Sequence, residues 1–283
     1  VMGGGDAQLG TIGVGAVNEK DTVILGGTFW QQEVNMKSPI IDKDARIRIN
    51  CSSISDLWQA EGIAFYPGLV ARWFRDAFCE DLKEIAKKNN TNAYKLLSDK
   101  SKDIPAGCYE IIPIFSDKMN YISWKHAAPS FINMTIDPNK TNRYSLFKSI
   151  MENAAIVSYN NIKTIENFSN INIDYLTFAG GAANDSVWCQ ILADVLQLEV
   201  RTTKVKEATA LGAAICACVG INLYKDFYEA ADICVKKDIV YYPDKNNQKV
   251  YANLINKFND VYKIQLELAD KNLTTHMWKA VGE

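Results

Sequence analysis

The first residues suited to chemistry form the segment Gly3-Gly4-Gly5-Asp6-Ala7-Gln8. Three glycines let the backbone approach a ligand closely, and a carboxylate at their end can accept a proton or hold a metal ion. A glycine-rich hairpin with Asp6 in its turn would explain the same residues without any chemistry. Both interpretations stay open on this motif alone.

Two later segments could bind a phosphate or a nucleoside. In Leu25-Gly26-Gly27-Thr28, a strand would end in two glycines and a hydroxyl, and the backbone N–H groups there could surround a phosphate. In Phe178-Ala179-Gly180-Gly181, a buried strand would deliver two glycines to the start of a helix that Asn184 and Asp185 could cap. Close packing of strand against helix, without a ligand, is the alternative.

A fourth segment, residues 206–214, is rich in alanine and predicts a tightly packed structural helix. Other common site motifs are missing from the sequence. It contains neither G-x-x-x-x-G-K-[ST] nor G-x-G-x-x-G, which disfavours the usual nucleotide-binding folds. It also lacks G-x-S-x-G, which disfavours a serine hydrolase.

Composition excludes several classes of protein. The 31 basic and 33 acidic side chains give a net charge of −2, so we expect neither a nucleic acid nor a membrane surface as partner. The longest nearly apolar run, residues 210–221, is shorter than the roughly 20 residues that a membrane-spanning helix needs. Seven cysteines without a C-x-x-C pair, together with only two histidines, disfavour structural zinc. They indicate buried thiols in a reducing cytoplasm.

These motifs need strands and helices to position them, and the hydrophobic spacing predicts an α/β fold. We predict strands over 9–17, 22–25, 111–115, 130–134, 175–179, 198–202 and 240–242. We predict helices over 63–88, 143–160, 186–196, 207–219 and 247–269. Residues 31–60 carry few regular signals, and we expect an irregular and helical insertion over about 31–110 in one single lobe. The sequence opens inside a glycine-rich segment, so we expect a longer protein.

Taken in this order, the four motifs resemble the C-terminal half of the FGGY carbohydrate kinases, which belong to the actin-like, ribonuclease H-like ATPases. Longer segments extend the resemblance nearly from end to end: 26–32, 72–79, 113–117, 126–133, 152–158 and 273–280. The resemblance implies that residues 1–283 form a C-terminal nucleotide-binding lobe with a ribonuclease H-like fold. An N-terminal sugar-binding lobe would be absent from this chain. One departure is Ala182, where the family has a third glycine.

The resemblance also implies a role for individual residues. ATP and Mg²⁺ would be the cofactors, and Asp6 would be the catalytic base that also contacts the substrate together with Gln8. The residues implied to bind the nucleotide are Gly27, Thr28, Gly68, Arg72, Gly180, Gly181, Asn184 and Asp185.

The implied activity is phosphorylation of a hydroxyl on a small sugar-like molecule. A signal molecule derived from dihydroxypentanedione is one such substrate, and a sugar or polyol such as xylulose is another. A nucleotide-binding module without turnover and a structural actin-like scaffold are the alternatives outside this class. We expect the present chain alone to be inactive, because half of the positioning groups would belong to the missing lobe.

Overall fold

The structure is a computed structural model that describes residues 3–119, 121 and 124–279. Val1 and Met2, which open the sequence, lie outside the described residues, as does Ala280, the last residue of one segment that carries the resemblance.

In the first half of the described chain, strands and helices come in groups, and from α5 (Arg143–Ser169) onward they largely alternate. The strands are β1 Thr22–Gly26, β2 Trp30–Met36, β3 Arg48–Cys51, β4 Trp58–Ala64, β5 Ile112–Ile114, β6 Lys125–His126, β7 Ser130–Ile132, β8 Tyr175–Ala179, β9 Glu199–Thr203, β10 Lys237–Tyr241 and β11 Trp278–Lys279. The helices are α1 Asp6–Gly13, α2 Pro67–Phe78, α3 Glu80–Lys88, α4 Ala93–Ser101, α5 Arg143–Ser169, α6 Ser186–Leu196, α7 Ala208–Gly220, α8 Phe227–Cys234 and α9 Gln248–Asp270. None of these helices is both long and apolar enough to span a bilayer.

A seven-stranded mixed sheet, in the order β10-β9-β8-β1-β2-β4-β3, organises the fold. Strands β1, β2, β4 and β3 pair as antiparallel neighbours. Strand β8 runs parallel to β1, and β9 runs parallel to β8. The carboxyl ends of β1 and β8 therefore meet at one edge of the sheet, where α/β proteins commonly bind ligands.

Helices cover both faces of this sheet. Neighbouring residues of a strand point to opposite faces, and in β1 Ile24 packs into the large core that contains α5, whereas Val23 packs with Val14 and Ala208. Helix α5 begins with a capping box between Asn142 and Ser145. This cap agrees with the predicted start of the helix at residue 143. The other face carries α1 and α7.

Several predicted elements are confirmed. Strand β8 occupies the predicted residues 175–179, and α6 occupies the predicted residues 186–196 with Asp185 as its N-cap. Helix α5 begins at the predicted residue but continues to Ser169. These segments combine a clear apolar period with glycine or a capping side chain, so local signals suffice to locate them.

The prediction of an irregular segment over residues 31–60 is wrong in part, because residues 31–36, 48–51 and 58–60 belong to β2, β3 and β4 in the central sheet. Polar residues buried inside the strands hide the apolar alternation. Gln32, for example, is fully buried, where its amide donates to Ser158 and its carbonyl oxygen accepts from Asn161. The helical insertion accordingly follows β4 and precedes α5, as α2, α3 and α4.

The predicted strand over residues 9–17 is also wrong, since residues 6–13 form α1. This helix depends on close contact with α7. A Cβ on Gly13 would lie 1.8 Å from the carbonyl oxygen of Ala208, and a Cβ on Gly212 would lie 1.8 Å from that of Leu9. Helix–helix packing between residues distant in sequence selects the helical conformation here, which hydrophobic spacing alone does not reveal.

Candidate functional site

A cavity of about 540 Å³ opens at the carboxyl ends of β1 and β8. Its walls are the turn after β1, the start of α2, helix α4 and the turn that leads into α6. The cavity gathers seven of the eight residues that the sequence assigned to nucleotide binding: Gly27, Thr28, Gly68, Arg72, Gly181, Asn184 and Asp185. The eighth, Gly180, directly precedes Gly181 in the chain.

Backbone contacts at two glycines hold the cavity walls together. A Cβ on Gly68 would lie 2.1 Å from the carbonyl oxygen of Gly27, so the start of α2 rests on the turn after β1. Gly180 has a φ of +88°, and a Cβ there would lie 2.6 Å from the carbonyl oxygen of Gly26. Both positions need glycine for close approach, and Gly180 also needs it for its left-handed backbone.

Gly181 differs from its neighbour. No heavy atom lies within 4 Å of a Cβ built on Gly181, and the residue is exposed on the cavity wall. The protein itself therefore has room for a side chain at this position. The space that such a side chain would fill belongs to the cavity.

Asp185 joins two walls of the cavity. One oxygen of its carboxylate, Oδ1, accepts hydrogen bonds from the Val187 N–H at 2.9 Å and from the Ser98 hydroxyl at 2.6 Å. The first bond caps α6, and the second attaches α4 to it. Asn184 is exposed, and its amide donates to the carbonyl oxygen of Gly181 at 3.2 Å.

Helix α4 forms a cavity wall that the sequence prediction missed. Asp99 accepts hydrogen bonds from Lys102 at 2.7 Å and Lys95 at 2.9 Å, and these bonds lower the pKa of Asp99. Arg72, across the cavity, has no ion-pair partner among the described residues. With three cations (Arg72, Lys95, Lys102) against two carboxylates (Asp99, Asp185), the lining has a net charge of +1, which favours an anionic ligand.

The signals that could have revealed α4 are local. Asn92 caps the helix, because its side-chain oxygen accepts from the Lys95 N–H at 2.8 Å. Lys95 and Asp99 are also spaced as an i,i+4 pair on one helix face. The cavity-lining role of Tyr94, Ser98 and Lys102 needs the tertiary structure and has no signal in sequence.

Asp6 and Gln8 lie outside the lining of this cavity, on α1. Asp6 is exposed in the first turn, where its Oδ1 accepts from the Ala7 N–H at 2.9 Å. Its carbonyl oxygen accepts from the Thr209 hydroxyl of α7 at 3.2 Å. The alternative of a hairpin with Asp6 in the turn is wrong, because the glycines lead into a helix that α7 positions.

Gln8 is half-buried and lies beneath the glycine segment. A Cβ on Gly5 would lie 2.5 Å from its Oε1 atom. The structure thus places the two residues assigned to the substrate two positions apart at the start of α1, separate from those assigned to the nucleotide.

Comparison with known proteins covers both sequence and fold. The FGGY family of carbohydrate kinases, C-terminal domain, matches residues 37–221. The autoinducer-2 kinases of Enterobacter sp. (strain 638) and Escherichia coli (strain K12) are 48% and 46% identical over 282 residues. This chain spans about half the length of the curated relatives it matches, since the alignments cover 53% of each.

Solved structures of sugar kinases share the fold. The xylulose kinase from Rhodospirillum rubrum has a TM-score of 0.77 at 19% identity, over 93% of this chain and 51% of that one. The Plasmodium falciparum glycerol kinase with ADP has a TM-score of 0.71 at 17% identity, over 91% of this chain and 50% of that one. These likenesses confirm the predicted α/β, ribonuclease H-like fold of the actin-like ATPases. With the match over residues 37–221, they lead to one conclusion: the chain belongs to the FGGY family of carbohydrate kinases.

Proposed function

We propose that this chain is the C-terminal, nucleotide-binding lobe of an ATP-dependent kinase that phosphorylates a hydroxyl of autoinducer-2. The choice of substrate rests on one observation: the relatives that are 46–48% identical along the whole chain are autoinducer-2 kinases. The cavity supports the nucleotide, because it gathers glycines, a hydroxyl and a net positive charge at one end of the sheet.

In this proposal, Asp6 accepts the proton of the substrate hydroxyl as its oxygen attacks the γ-phosphate. Gly27 and Thr28 contact the phosphates, and Gly181, Asn184 and Asp185 border the adenosine. Because phosphoryl transfer depends on positioning and on neutralising the phosphoryl oxygens, the chain contributes mainly a base and fixed donors. Gln8 helps Asp6 to orient the substrate.

This arrangement is compatible with Mg²⁺, which does not need a complete set of protein ligands. The described residues contain no group of three or more side chains that could hold a metal ion. Mg²⁺ usually keeps several waters and binds through one or two carboxylates and the phosphate oxygens. When bound, it would supply positive charge against the phosphoryl oxygens, and its main ligands would be the phosphates rather than residues of this lobe.

A xylulose-like sugar or a polyol is the alternative substrate. Xylulose kinases share the fold, but at 19% identity they support a common architecture and not a common substrate. The residues that select the substrate would lie mainly on the lobe that precedes this chain. A nucleotide-binding lobe without turnover is the expected behaviour of the chain in isolation.

We also place the kinase in the cytoplasm. The seven cysteines are free thiols, four of them buried, as is usual in a reducing compartment. Cys51 departs from the expected burial, because it is exposed on the short strand β3.

Two neighbouring glycines test the nucleotide site. Gly181→Val should raise the dissociation constant for ATP at least about tenfold, or about 1.4 kcal/mol, because Gly181 lines the cavity and a Cβ there has open space around it. Thermal stability should stay near that of the original chain. Gly180→Val, the matched variant, should instead lower stability by about 1–3 kcal/mol through backbone strain and overlap with Gly26.

Calorimetric titration with ATP, beside a melting curve for each variant, separates these outcomes. Unchanged ATP affinity in a folded Gly181→Val protein would place the nucleotide elsewhere and contradict the proposed site.

A further inference from the structure

Two buried glutamates face each other across the central sheet. Glu33 of β2 and Glu61 of β4 are direct partners in the antiparallel register, with exposed fractions of 0% and 3%. Side chains opposed in this way lie about 4.5–5.5 Å apart at their Cβ atoms. Both point to the face that carries α1, because Gln32, next to Glu33, bonds to α5 on the other face.

The two carboxyl groups have unequal hydrogen bonding. Glu61 accepts from the Asn50 amide at 2.9 Å, the Gln31 amide at 3.3 Å and the Arg48 guanidinium at 3.3 Å. Neither carboxyl oxygen of Glu33 has a hydrogen-bond donor within reach among the described residues. A buried ionised carboxylate without donors is strongly unfavourable. A hydrogen bond between the two groups requires that one of them carries a proton.

Charged and titratable groups from β4, α1, β3 and the segment between β5 and β6 interact with Glu33. Burial raises the pKa of Glu33 well above its ordinary value, and the charges of Glu61 on β4 and Asp6 on α1 raise it further. Arg48 on β3 opposes this effect. Burial also raises the pKa of Tyr121 to about 12, so this phenol is neutral, and its ring lies 4.8 Å from the Arg48 guanidinium.

One cation therefore faces three carboxyl groups in this region. Arg48 can offset one of the two buried glutamates, and Glu61 is the one that it and the two amides contact. Glu33 is then the group that remains protonated, with its O–H able to donate to the Glu61 carboxylate. The proton comes from solvent, and no other bond changes.

We propose that Glu33 and Glu61 share one proton at neutral pH, and that Glu33 is a positioning residue which, while neutral, keeps a further negative charge away from Asp6. Its effect on catalysis rests on the proposed function of Asp6, whereas the shared proton does not. Once Glu33 ionises at alkaline pH, its charge repels the phosphoryl group that must approach Asp6. Activity should then fall on the alkaline side as Glu33 titrates.

Stability should follow the same titration. Because the pKa of Glu33 is raised in the folded chain, the stabilising effect of its proton is complete below the ordinary glutamate pKa and is lost as the pH rises through the folded pKa. Glu33→Gln should remove this loss. The variant should therefore gain stability relative to the original chain as the pH increases.

Carbon-13 NMR of the glutamate side-chain carboxyl groups tests the shared proton directly, with Glu33→Gln identifying the signal. We expect Glu33 to be protonated at pH 7. Glu61→Gln should lower its titration midpoint by about one pH unit or more, and Arg48→Met should raise it. An ordinary glutamate midpoint for Glu33, or a midpoint that neither variant moves, would overturn the inference.

The role of Glu33 in catalysis has its own measurement. In the full-length kinase that contains this chain, Glu33→Gln should abolish the alkaline fall in kcat/KM. If the fall persists unchanged, Glu33 is not a positioning residue. Complete inactivity of that kinase would contradict the proposed function, and the NMR titration of this chain would still decide whether the proton is shared.

Discussion

Replacing Asp6 by asparagine should slow phosphoryl transfer by about 10²–10⁴-fold, the usual contribution of a general base. The test protein is a chimera in which this chain is joined to the part of the Enterobacter autoinducer-2 kinase that it does not cover. Asparagine keeps the shape of the side chain and an oxygen that can accept from the Ala7 N–H, but it cannot take up the substrate proton. ATP affinity should change little, because Asp6 lies outside the cavity that we propose for the nucleotide.

Initial rates of ADP formation, with ATP titrations on the same preparations, measure this effect. Asp260→Asn offers a matched control, since Asp260 is exposed on α9 and the same atoms are exchanged there. The control should stay within a factor of a few of the unmodified chimera. An Asp6→Asn chimera with similarly unimpaired activity would refute the assignment of Asp6 as the base.

The chain alone should bind ATP weakly and transfer no phosphoryl group. Holding two reactants in the reactive geometry can contribute about 7–11 kcal/mol, and in the proposed kinase half of the positioning groups belong to the other lobe. Purified 1–283, incubated with ATP, Mg²⁺ and autoinducer-2, should give no phosphorylated product by mass spectrometry under conditions where the chimera does. Product formed by the chain alone would show that one lobe contains a complete active site.

The second half of the fold could be predicted from local signals. In the segment from Tyr175 to Leu196, an apolar strand, two glycines and a capping Asp185 follow one another, and each signal agrees with the structure. The conformation of Gly180 and the open space beside Gly181 could not be assigned, because both depend on the position of β1.

The first half shows why local signals fail. Strands β2 and β4 bury Gln32, Glu33, Gln59 and Glu61, so their sequences resemble a polar loop. The partners that satisfy Gln32 lie more than 120 residues away on α5. Helix α1 likewise depends on its contacts with α7. Nearly all strands of the central sheet lie between these two helices in the sequence.

The site divides in the same way. The residue types of the proposed nucleotide site were predictable, because glycines, a hydroxyl and helix caps suit a phosphate or nucleoside whatever the order of the strands. The contribution of α4 to the cavity was not predictable, because its cap and its i,i+4 pair indicate a helix but do not show which elements it packs beside. The location of Asp6 on a separate helix also needed the tertiary structure.

The substrate preference of the full-length kinase that contains this chain tests the central claim most directly, because its own N-terminal lobe, unlike that of the chimera, then selects the substrate. Phosphorylation is measured with ATP and, in parallel, autoinducer-2, xylulose, glycerol and gluconate, and kcat/KM is compared between substrates. The account predicts ATP-dependent phosphorylation of autoinducer-2 with a kcat/KM at least about tenfold above that of every other substrate, a difference of about 1.4 kcal/mol. A folded full-length kinase that binds ATP but prefers xylulose or another polyol, or that phosphorylates none of the four, would contradict it.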